Sequence, residues 1–188
     1  MCIEPKRSIM KILTTSIFLL GAAISGAFLP ATRTQQAPKL ADDEIASVAV
    51  VANQNDIDFA NIALKKSTDP SIVEFATTMQ RDHKAVIDEA VALVTKLKVT
   101  PKDNALSKSL KADAVKTQQS LNAKSGAAFN KAYIDNEVAY HKSVIGAVET
   151  ILIPQAKNAE LKSLLQQVLP TLKTHLEHAE MVQKNFGK

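Results

Sequence analysis

The chain has 188 residues, with 23 Lys+Arg against 19 Asp+Glu, 46% apolar residues, one cysteine and no tryptophan. That composition excludes a disulfide-stapled scaffold and a charge-dominated disordered tail. With six Phe, two Tyr and no Trp there is no stacking platform for nucleic acid, and nucleic acid is not an expected partner.

The N-terminus reads as a secretory signal peptide over residues 1–27. Lys6, Arg7 and Lys11 form a positive region, residues 12–24 carry no charge, and Ser25-Gly26-Ala27 supplies the small residues of a cleavage site. The apolar run is shorter than the ~20 residues a spanning helix prefers. The alternative is an uncleaved segment that holds the protein in the inner membrane. Cys2 precedes the run, so it is not the lipidated cysteine of a lipoprotein signal. Cleavage removes the only cysteine and half of the excess positive charge. The expected mature chain has no transmembrane span, holds together by packing alone and is exported, to the periplasm or in association with the outer membrane.

Residues 28–41, rich in Pro, Thr, Gln and Ala, read as a linker, and residues 42–186 as one helical domain. A first helix starts after Asp42 or Asp43, acting as N-caps, and ends near Ser67; Ile45, Val48, Ala52, Phe59 and Ala63 mark its apolar stripe. Asp69-Pro70 caps and opens a second helix that runs to about Lys98, a rod of about 43 Å. Thr100-Pro101 breaks the chain before a shorter, more polar third helix over 104–121, whose lysines form a wet face. Ser125-Gly126 opens a fourth helix with Phe129, Tyr133, Tyr140, Val144 and Val148 in its stripe. Asn158 caps a fifth, in which the stripe keeps its phase through Pro170. The expected fold is all-α: an up-down bundle of four long helices plus one short one.

On helical wheels a few polar residues fall among the apolar ones. They are Asp56 on the first helix, His83 on the second, Glu137 and His141 one turn apart on the fourth, and His175 on the fifth. Asp58, Asp82 and His178 fall off the stripe centres, with His178 expected in solvent. Buried carboxylates and imidazoles are costly unless paired. Two readings follow. Either these side chains hydrogen-bond one another and fix helix register, or they ligate a transition-metal ion in the bundle core. No arrangement of nucleophile, base and orienting group stands out, so no catalytic residue is expected.

Several runs resemble a known family: Ala52-Asn53-Gln54 with Asp56-Ile57-Asp58, Met79-Gln80-Arg81-Asp82-His83, Gly126-Ala127-Ala128-Phe129 leading to Tyr133, then His141, and Leu169-Pro170-Thr171-Leu172 with His175. The likeness is to exported bacterial proteins grouped as domain of unknown function 4142, often described as outer membrane proteins. It implies a ferritin-like helical bundle and an envelope location, and brings no established activity. The family's acidic positions fall on Asp56 and Asp58, its Asp-His pair on Asp82 and His83, and its later histidines on His141 and His175. Asn130 stands where the family usually has Asp.

Di-iron bundles need Glu-x-x-His pairs, and the residues at that spacing before His83, His141 and His175 are Gln80, Val138 and Leu172. Zinc or copper therefore suits the donors better than a di-iron centre. The first functional expectation is a non-enzymatic envelope protein that acts by binding, its partner either a ligand or another envelope protein. The alternative is a metal-binding bundle that buffers or delivers zinc, copper or iron through His83, His141, His175, Glu137 and Asp56.

Overall fold

A computed structural model describes residues 39–186. The leader expected at 1–27, and all of the linker but its last three residues, lie outside the described residues. The elements are α1 (Asp42–Lys66), α2 (Pro70–Leu97), α3 (Ala105–Asn122), α4 (Gly126–Ala147), a π-helical stretch (Val148–Leu152), the single turn α5 (Ile153–Gln155) and α6 (Ala159–Phe186). No strand occurs among the described residues, and the fold is all-α as expected. Among those residues no helix is long and apolar enough to cross a membrane.

Helix starts follow local chemistry, with two exceptions, one of them α4, where the N-cap Ser125 makes no side-chain capping hydrogen bond. Asp69 Oδ1 accepts from the backbone N–H groups of Ser71 and Ile72 and so caps α2, with Pro70 at the first helical position. Asn104 caps α3 through Leu106 and Ser107, and Asn158 Oδ1 accepts from Glu160 and Leu161 at the start of α6. The other is α1. Its N-cap is Ala41, whose N–H donates to Glu44, while Asp42 lies inside the helix. The Asp42 carboxylate accepts instead from the N–H groups of Lys157 and Asn158, tying the start of α1 to the approach to α6. No sequence rule shows a carboxylate serving a helix more than a hundred residues away.

The π-helical stretch has a local cause. Pro154 has no N–H to donate, and its ring would crowd the carbonyl of Thr150 in an ordinary turn. Widening the preceding turn relieves that contact, and Ile153 N–H bonds back to Val148. Pro170, by contrast, sits within α6 without ending it.

α1 packs along α2, α4 along α6, α2 also against α6, and α3 against α1. Their apolar faces form two clusters. One gathers Phe59, Ile72, Phe75, Met79, Phe129 and Tyr133; the other gathers Ile45, Val48, Ile145, Leu152, Leu165 and Leu172. Each large aliphatic or aromatic side chain buried in this way contributes roughly 1.5–3 kcal/mol. Asp56 lies between the two clusters on α1, His141 on α4 and His175 on α6, and His83 lies one turn beyond Met79 on α2. A polar layer is thus held between two greasy ones.

Asp69→Ala removes the acceptor for two N–H groups at the start of α2 and should destabilise the protein by about 1 kcal/mol. Urea unfolding checks this: the midpoint should fall with an unchanged slope.

Candidate metal centre

Asp56, His83, Glu137, His141 and His175 are between 0% and 4% exposed. The three imidazoles converge from three helices. Ring centroids are 5.7 Å apart for His83 and His141, 5.2 Å for His83 and His175, and 5.6 Å for His141 and His175. One ligand nitrogen from each lies within 4.8 Å of the other two, and a carboxylate oxygen each from Asp56 and Glu137 groups with His141 in the same way. The wheel places these residues on inward faces; the packing brings them to one depth.

Each histidine has one nitrogen committed outward. His83 Nδ1 donates to Asn53 Oδ1 at 2.7 Å, and the amide's orientation is fixed because Asn53 Nδ2 donates to the Ala49 carbonyl. His141 Nδ1 donates to the Glu137 backbone carbonyl at 2.9 Å. His175 Nε2 donates to Asp82 Oδ2 at 3.0 Å. A carbonyl or carboxylate oxygen can only accept, so the proton sits on the outer nitrogen in each case. The inner nitrogens, His83 Nε2, His141 Nε2 and His175 Nδ1, have no hydrogen-bond partner. An acceptor that fixes the tautomer from outside is the usual support of a metal-binding imidazole.

The carboxylates sharpen the problem. Asp56 Oδ2 lies 3.3 Å from His83 Nε2 and 3.6 Å from His141 Nε2. Lone pairs therefore face lone pairs, and something positive must lie among them. Burial lowers the His83 pKa to about 3, with His175 adding to the effect, and burial also lowers that of His141. These two rings stay neutral and keep their lone pairs at neutral pH. Burial pushes the Glu137 carboxyl well above the usual range, and the nearby Asp56 charge pushes it further. Asp56 is raised by burial too, against the opposing pull of His141. When no cation is bound, a proton held between these two acids supplies the missing positive charge.

Three imidazole nitrogens and a carboxylate oxygen are a donor set that fits zinc or copper. An apolar cavity of about 100 Å³ adjoins them, walled by residues such as Ala52, Val86, Ala90, Leu106, Val144 and Leu172. Such a shell lowers the local dielectric and strengthens interactions with any charge held there.

Other candidates fall elsewhere. Asp58 accepts from Gln54 and Gln118, and Asn130 is buried two turns before Glu137 on α4. His178 is half-buried, not solvated: its ring meets Phe75 edge-on at 5.1 Å. The wheel sets Asp82 off the stripe, yet it belongs to the centre as the outer partner of His175. Asn53 holds the same position for His83, three residues before Asp56 on α1, and only its place in the family-like run hinted at it.

Between the ordinary carboxyl pKa of 4.5 and its own raised value, Glu137 holds a proton when folded that the unfolded chain has released. Glu137's own contribution to the metal-free fold therefore falls as pH rises through that window, by at most about 1.4 kcal/mol per pH unit, while the lowered His83 and His141 act in the opposite sense below the ordinary imidazole value. Glu137→Gln removes the term. The variant should gain on the wild type as pH rises above 5 in urea melts with chelator present.

Among curated proteins none matches the sequence. A solved structure titled "CopM in the Cu(II)-bound form" superposes with a TM-score of 0.62 at 15% identity, covering 79% of this chain and 99% of that one, and the two share a helical fold. The family described as Domain of unknown function (DUF4142) matches residues 28–182, and the chain belongs to that family.

Proposed function

We propose that the protein binds one transition-metal ion, through His83 Nε2, His141 Nε2 and His175 Nδ1 with Asp56 as the oxygen ligand, and that it stores or passes on that ion in the cell envelope after export. The observation that carries this reading is the set of three unpartnered inner nitrogens, each oriented by an oxygen on its outer side. A register-fixing network would pair those nitrogens with donors. A centre for a cation leaves them free.

Among divalent ions an imidazole-rich site holds copper most tightly, with zinc below it. The structural neighbour is titled as copper-bound, which favours copper as the first ion to test. Glu137 has a supporting part. Its carboxyl lies against Asp56 and His141, and it keeps the proton it shares with Asp56 when Asp56 turns to a cation.

Protein lacking residues 1–27 and any histidine tag should take up one equivalent of copper(II). At a free concentration 100 times Kd, binding should stabilise the fold by about 2.7 kcal/mol. His83→Ala and His141→Ala should each abolish that gain while leaving a folded, metal-free protein. Melting curves unmoved by copper or zinc, or equal gains in both variants, contradict the reading. N-terminal sequencing of protein from cell fractions tests the compartment: the expected chain starts at Phe28 in the envelope, and a cytoplasmic chain starting at Met1 contradicts it.

A further inference from the structure

Two openings reach the histidine cluster. The first is the cavity just described, whose walls away from the cluster are mostly Ala, Val and Leu. The second is a surface pocket of about 360 Å³ between α2 and α6, lined by Thr78, Arg81 and Asp82 on one side and by Thr171, Thr174 and His178 on the other. Asp82, His175 and the exposed Thr171 line both spaces, and the first two are joined by a hydrogen bond. This pair is therefore the partition between solvent and the buried nitrogens.

The partition is held by two hydrogen bonds to one carboxylate. His175 Nε2 donates to Asp82 Oδ2 at 3.0 Å, and Arg81 Nε donates to Oδ1 at 2.7 Å. The Asp82 side chain is 26% exposed and that of Arg81 70%, so the carboxylate is reachable from outside and its arginine is free to leave. Behind it, His175 is almost fully buried with Nδ1 unpartnered. A metal ion sheds its water only where other donors replace it, and apolar walls offer none. The surface pocket offers a carboxylate, threonine hydroxyls and an imidazole.

We propose that the metal ion enters and leaves through the pocket between α2 and α6, with Asp82 as the first protein group to meet it and His175 as the side chain that turns to let it pass. This inference rests on the reading of the cluster as a metal centre. Arg81 competes with the incoming cation for the Asp82 carboxylate and so acts as the latch. His175 gives up its bond to Asp82 as its ring swings, and regains it once the ion sits on Nδ1.

Copper uptake followed by stopped flow, with chelator-driven release from the loaded protein, tests the route. Thr174→Trp fills the pocket from α6 and should slow uptake and release alike, tenfold or more, with affinity at equilibrium unchanged. Arg81→Gln frees Asp82 and should speed both. Thr78→Trp, from the opposite wall, repeats the test if Thr174→Trp does not fold. Wild-type rates in the tryptophan variants, or slowing by Val86→Phe in the apolar cavity instead, overturn the proposal. Protein that retains copper at equilibrium but shows unchanged rates loses only the route; protein that retains none loses the metal reading as well.

Discussion

The inner nitrogens of His83 and His141 each lie within 3.6 Å of one carboxylate oxygen of Asp56, with each imidazole proton committed to an outer oxygen. Acceptors brought together in a place of low dielectric repel unless a proton or a cation lies among them. That constraint organises the rest of the centre. It explains why burial leaves the two rings neutral and why the acids beside them hold on to protons. Under the proposed function, one positive species exchanges for another at this centre.

Its cost is borne by the layers on either side. A buried polar atom without a partner costs on the order of 1–3 kcal/mol, and the inner nitrogens are such atoms. Phe59, Phe75, Met79 and Tyr133 pack below them, and Val48, Ile145, Leu165 and Leu172 above. The same packing sets depth. Each helix contributes its polar residue where its stripe passes from one apolar cluster to the other, so the four helices must keep their axial positions for the donors to meet. The carboxylate of Asp42, fastened to the chain just before α6, is one of the ties that holds them.

Helix identity and facing were legible in the sequence because both depend on local periodicity and on caps such as Asp69, Asn104 and Asn158. The inward aspect of Asp56, His83, Glu137, His141 and His175 followed from the same wheels. Their common depth did not, since axial offset between helices is set by packing across the bundle. The outer partners were hard to see for a related reason. Asn53 and Asp82 stand at the rim of their stripes, where a wheel reports an ordinary half-exposed residue. The π-helical turn before Pro154 was also hidden: a proline says that the ladder is interrupted, but not whether the chain kinks, ends or widens.

The most direct test of the central claim reads the imidazole protons themselves. Long-range ¹H–¹⁵N correlation spectra of the metal-free protein at neutral pH, assigned by substitution of single histidines, report which ring nitrogens carry hydrogen. The account predicts protons on Nδ1 of His83 and His141 and on Nε2 of His175, with the inner nitrogens of His83 and His141 bare. Reversed tautomers, or doubly protonated rings at His83 and His141, would contradict it.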